Sequence, residues 1–139
     1  MELIEKYTND NAGYLPLLMG NKWQVAILNY AIEETLEHID KLDIHHHTDE
    51  VFVLLDGHAV LIAARIDESG VHYETADMKP FCVYNIPRDV WHKIAMEPDS
   101  RVLIVENAGT HLGDFEFYEL SGEEVASLRG VVAKAVQNR

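Results

Sequence analysis

Apolar and polar residues alternate along this chain in short runs separated by turn-forming residues. That period belongs to strands, where alternate side chains share a face. Runs at 23–30, 36–45, 50–55, 58–66, 71–76, 81–86, 92–97, 101–106 and 115–120 predict strands, and the turn signals between them predict an antiparallel sandwich or barrel. Asp56-Gly57, between the apolar runs 51–55 and 58–62, predicts a hairpin, because Asp-Gly tolerates the positive φ angles of a type I′ turn. Asp67-Glu68-Ser69-Gly70 and Glu97-Pro98-Asp99-Ser100 read as further turns. The period changes at Ser121. Ser121 and Glu124 have capping-box spacing, and Val125, Leu128, Val132 and Ala135 form one stripe, which predicts a helix over 122–137. Gly130 weakens that helix by ~1 kcal/mol relative to alanine, so it needs the sheet or a second subunit to pack against.

Composition narrows the class. A chain of 139 residues, 47% hydrophobic and 25% charged, is expected to form one globular domain, with a barrel core at about 23–120 and the tail helix beyond it. Lys plus Arg is 11 against 24 Asp plus Glu, a formal charge of -13 that disfavours nucleic acid and anionic membrane surfaces as partners. The first residues, Met1-Glu2-Leu3-Ile4-Glu5-Lys6, are acidic where a secretory signal is basic, and no run reaches the ~20 apolar residues of a membrane span. The expected location is the cytoplasm. Cys82, flanked by Phe81 and Val83, is expected to be a buried thiol.

The chemistry concentrates in His45-His46-His47-Thr48-Asp49-Glu50. Imidazole and carboxylate together suit iron, manganese, nickel, copper or zinc, and strand alternation lets His45 and His47 point the same way. A second histidine, His92, follows the turn-like segment Tyr84-Asn85-Ile86-Pro87-Arg88-Asp89-Val90-Trp91. His38, His58, His72 and His111 have no partner at ligand spacing and read as surface or turn residues.

This arrangement resembles the cupin superfamily, whose first motif runs G-x5-H-x-H-x3 or x4-E-x6-G and whose second runs G-x5-P-x-G-x2-H-x3-N. Glu50 and Gly57 keep the first motif's closing interval, Pro87 and His92 keep P-x4-H, and the likeness covers about residues 36–106. The resemblance implies an all-β antiparallel double-stranded β-helix, a jelly-roll barrel, here with a C-terminal helix. Two features depart from the motifs. The three-residue register puts the histidine pair at Ile44 and His46 and the four-residue register at Asp43 and His45, while Phe81, Asp89 and Met96 stand where the second motif has Gly, Gly and Asn.

In metal-binding cupins the motif histidines and glutamate hold the ion, which here implies His45, Glu50 and His92. His47 is the expected fourth ligand by strand alternation, after a bulge, and His46 replaces it if the register differs by one residue. Phe52 shares strand parity with Glu50, and Ile94 with His92, so these two, with Tyr84, are the expected pocket residues. The implied function is binding of a polar, sugar-like metabolite around a divalent ion, with Fe, Mn, Ni and Zn undistinguished and with isomerase or oxygenase chemistry open. The segment 86–92 is also similar to that of metal-free nucleotide-sugar ketoisomerases, although their H-A-H-K signature is missing. The third reading is a non-enzymatic ligand-binding or sensing module. A homodimer is expected, because the family commonly pairs sheets and the amphipathic tail offers apolar area.

Overall fold

The computed structural model describes residues 2–139. Ten strands run through it: β1 (Gly13–Met19), β2 (Trp23–Asn29), β3 (Lys41–Ile44), β4 (Glu50–Asp56), β5 (Ala59–Asp67), β6 (Gly70–Asp77), β7 (Val83–Ile86), β8 (Trp91–Met96), β9 (Arg101–Asn107) and β10 (Glu116–Glu119). Two α-helices, α1 (Thr110–Gly113) and α2 (Gly122–Ala135), complete the chain. The strands form two five-stranded antiparallel sheets, ordered β1-β2-β9-β4-β7 and β10-β3-β8-β5-β6. Apolar residues of one parity, among them Leu28, Phe52, Leu54, Leu61, Ile94, Met96, Val102 and Ile104, meet between the sheets as the barrel core.

The other face of the second sheet is also covered. Leu128 and Val132 of α2 pack onto Ile39, Val60, Ile62 and Ala95, so the tail's apolar stripe is satisfied within its own chain. Burial on both faces explains why β5 opens as the unbroken run Ala59-Val60-Leu61-Ile62 rather than as an alternation. The capping box forms as expected: Ser121 Oγ accepts from the Glu124 amide at 3.1 Å, and Glu124 Oε1 accepts from the Ser121 amide at 2.8 Å.

Four local expectations are corrected. The segment 36–45 is not one strand: two 3-10 turns occupy Ile32–Glu34 and Leu36–His38, and β3 begins only at Lys41. The Thr35 hydroxyl donates to the Ile32 carbonyl at 2.7 Å, a local bond that competes with strand pairing. Asp56-Gly57 does not close a hairpin, because β4 and β5 lie in different sheets and the turn carries the chain from one to the other. Gly57 has φ +74 whereas Asp56 is not in the left-handed region, so the two positive angles of a type I′ turn are not present. Cys82 is exposed rather than buried, since it lies outside β7 at the open edge of the first sheet. Finally, β1 is an added edge strand, and Pro16 is tolerated there beside a register shift between Pro16 and Leu18.

Candidate metal centre

His45, Glu50 and His92 arrive at one place, two from strands and one from the bend that follows a third. β4 opens with Glu50 on the same inward face as Phe52 and Leu54. His92 sits on β8 one alternation from Ile94, and His45 follows directly on the end of β3. His45 Nε2 lies 2.9 Å from Glu50 Oε1, and His92 Nε2 lies 3.2 Å from the same oxygen. Donor atoms of the three residues all fall within 4.8 Å of one another, an arrangement able to hold a metal ion.

The opposite ring nitrogens show how the pair is aimed. His45 Nδ1 donates to the Asp114 carbonyl at 2.6 Å, and His92 Nδ1 donates to the Val90 carbonyl at 3.0 Å. A histidine whose Nδ1 proton is committed to a carbonyl presents the Nε2 lone pair, as metal-ligating histidines commonly do. Two such lone pairs and a carboxylate oxygen converge here. A cation fits between them: a metal ion, or a proton on the His45 ring.

The electrostatics agree. Burial opposes charge on His45, but its hydrogen bonds to Glu50 and Asp114 outweigh burial and hold its pKa up at about 9. Burial likewise opposes ionisation of Glu50, and the bonds from His45 and His92 reverse that, holding it down at about 2. The donor set of two imidazoles and one carboxylate therefore fits a divalent ion with further coordination positions open.

These side chains line a cavity of about 210 Å³ with Tyr14, Leu28, Glu34, Asp43, Phe52, Lys93, Ile94, Ile104, Glu106 and His111. Phe52 and Ile94 are thus in the wall, as their parity predicts. Tyr84 is not: it packs on the barrel core, and its hydroxyl accepts from the Lys79 amide at 2.9 Å. The structure does not bring His47 to the centre either. β3 ends at Ile44, so strand alternation no longer applies at 45–47, and His47 is exposed. Asp114 holds this bend, accepting the backbone amides of His46 and His47 at 3.0 Å each. His46 turns outward to Asp89 and Glu116.

Of the two motif registers, the structure realises the four-residue one, with Asp43 in place of a histidine. Asp43 and His45 both line the cavity, although Asp43 stays outside the three-residue group. The missing motif glycines have a backbone counterpart as well. Phe81 and Asp89 both adopt φ 65, the left-handed conformation that glycine serves without penalty.

No family model and no curated protein matches the sequence. Solved structures do match. A cupin-2 domain containing protein from Shewanella frigidimarina is 22% identical over 72% of this chain and 84% of its own, with a TM-score of 0.48. Streptomyces PAC13, solved with uridine, is 12% identical over 88% of this chain and 96% of its own, with a TM-score of 0.58. An iron(II) form of HppE is 15% identical over 68% of this chain, with a TM-score of 0.51, and the chain spans 48% of that protein's length. The chain has the cupin fold.

Within this cupin barrel, several site residues escaped the sequence reading. Glu106 lies opposite Glu50 in the β4–β9 ladder, and Gln24 lies opposite Glu106 in the β2–β9 ladder. A signal for Glu106 existed: it ends the alternation Val102, Ile104, Glu106, whose other members are core. Gln24 ends Leu28, Ala26, Gln24 in the same way. His111 had no such signal, because it enters the wall from the four-residue helix α1. Among the described residues no helix is long and apolar enough to cross a membrane.

Proposed function

We propose that this chain binds a polar small metabolite in its barrel around a divalent ion held by His45, Glu50 and His92, and acts on it as an isomerase or oxygenase. The convergence of two Nε2 atoms and one carboxylate oxygen, with both Nδ1 atoms tied to carbonyls, carries this reading. When bound, the ion would polarise a carbonyl or enediolate oxygen or bind oxygen. The chain's own part is more defined. Asp114 and Val90 orient the two rings, Phe52 and Ile94 give the cavity an apolar wall, and Glu106 offers a second carboxyl beside Glu50 for proton transfer.

A metal-free acid-base or binding role is the second reading. It is favoured by the fact that a proton on the His45 ring meets the same Glu50 oxygen, with His45 held up at about 9. Elemental analysis of untagged protein purified without chelator, beside a His45→Ala/His92→Ala double variant, separates the two. Near-stoichiometric metal in the parent and none in the variant is the expected result. Metal absent from both after reloading overturns the metal reading and moves the acid-base and binding readings ahead.

We carry the homodimer into the proposal with a changed surface, since α2 has spent its apolar stripe on the barrel. Support comes from β7, a sheet edge where Val83 is 72% exposed and the neighbouring Phe81 is 77% exposed. Light scattering at micromolar concentration is expected to return the mass of two chains, and the mass of one chain would refute it.

A further inference from the structure

Gln24, Glu106 and Glu50 are register partners on three neighbouring strands, so their side chains leave the first sheet on the same side. Glu106 is 6% exposed. Its Oε1 accepts from the Tyr14 hydroxyl at 2.6 Å and from Gln24 Nε2 at 3.3 Å, while its Oε2 is buried with no partner. Asp43, on the second sheet, repeats the pattern. Its Oδ2 accepts from Lys93 Nζ at 3.3 Å, and its Oδ1 is buried with no partner. Both side chains line the same cavity.

A buried oxygen without a donor carries its desolvation cost uncompensated, and a ligand that brings a donor, met by a small turn of the carboxylate into the cavity, removes that cost. We propose that the cavity recognises a compact ligand carrying hydrogen-bond donors on two sides, a small polyol or amino alcohol, with Glu106 accepting from one end and Asp43 from the other. The assignment rests on the reading of this cavity as a binding site and names the ligand class for it. Size and charge point the same way. A cavity of about 210 Å³ has room for a ligand of a few carbons. Even with a cation at His45, Glu50 and His92 counted beside the Lys93 ammonium, the carboxyl groups of Glu34, Asp43, Glu50 and Glu106 leave the wall without a positive surplus, a balance that suits neutral or cationic ligands over carboxylates and phosphates.

Glu106→Gln tests the assignment without changing size. Tyr14 and Gln24 both donate to the Oε1 position, so the amide oxygen stays there and the amide NH2 replaces Oε2, turning an acceptor into a donor. The same logic applies to Asp43→Asn, where Lys93 keeps the amide oxygen at the Oδ2 position. Calorimetric titration at about pH 8.5 uses erythritol, 2-amino-1,3-propanediol and the donor-free ether 1,2-dimethoxyethane. At that pH the Glu106 carboxyl, which burial and then neighbouring Glu50 hold up at about 7, is ionised.

Erythritol or the amino alcohol is expected to bind the parent at least tenfold more tightly than the ether, and each variant is expected to lose about tenfold of that preference. If Glu106→Gln does not fold by circular dichroism, Asp43→Asn carries the comparison. An equal or stronger affinity for the ether, no binding of either donor probe, or a preference unchanged in a folded variant overturns the proposal. Metal content measured on the same samples keeps the two readings apart. Bound metal with no donor preference removes only this inference, whereas a donor preference without metal removes only the metal.

Discussion

Glu50→Gln is expected to lower divalent-ion affinity by at least about 100-fold while leaving the barrel folded. Glu50 supplies the one charged donor of the three-residue group, and both imidazoles meet it through the same oxygen. An amide keeps the shape and still hydrogen-bonds an Nε2 lone pair, but it is a poor ligand for a hard divalent ion.

The substitution also changes how the metal-free fold responds to pH, and the sign follows from the two shifts. His45 is held up at about 9 from 6.5, so its contribution is complete below 6.5 and is lost as pH rises through 9. Glu50 is held down at about 2 from 4.5, so its contribution is present above 4.5 and is lost only in acid. Metal-free parent protein is therefore expected to melt several degrees lower at pH 9 than at pH 6.5. Glu50→Gln removes the main partner that raises His45 and is expected to flatten that slope. A divalent ion, which takes the place of the His45 Nε2 proton, is expected to remove the alkaline loss in the parent alone. Thermal unfolding at the two pH values, with chelator and with ion, checks all three results. A parent whose stability is flat across this range without metal would refute the charged His45–Glu50 pair.

Gly57→Ala is expected to destabilise the fold by roughly 3 kcal/mol or more, on the order of 10 °C in Tm. Gly57 has φ +74, a conformation that already disfavours a side chain. A Cβ there would lie 2.7 Å from Ser100 Cα, 2.9 Å from Ser100 N and 3.0 Å from the Asp99 carbonyl oxygen. All three are backbone atoms of a second turn, so no side chain can swing away. That turn joins β8 to β9 just as 57–58 joins β4 to β5, and each passes between the two sheets. The Glu97 amide donates to the His58 carbonyl at 3.1 Å, tying the turns together. Separating them would loosen both crossovers at once. Gly70→Ala provides the contrast: its φ is +115, but a Cβ there meets nothing within 4 Å, so only the backbone strain applies. Equal losses in the two variants would show that the close approach of the turns contributes nothing.

The class of architecture and the three residues at the centre of the candidate site are legible in the residues. Alternation of apolar residues is a local property of strands, and for this reason most strands of the barrel, the capped helix from Gly122 and the inward parity of Phe52 and Ile94 could be read from the residues alone. His45, Glu50 and His92 were legible because motif spacing survives where individual motif residues do not. Non-local pairing is not legible there, because it depends on strands far apart in the chain. Asp56-Gly57 signals a turn, but whether the next strand pairs with the last or crosses to the opposite sheet depends on the whole sandwich, and here it crosses. His47 was expected inward because alternation was extended past Ile44, while Asp114, sixty-seven residues away, bends the chain there. Glu106 and Gln24 belong to the same lesson. A polar residue ending an apolar alternation looks like a solvent-facing strand end until the neighbouring strands set Glu106 opposite Glu50 and Gln24 opposite Glu106, all three buried. Local periodicity specifies which face a side chain takes, and long-range register specifies what that face meets.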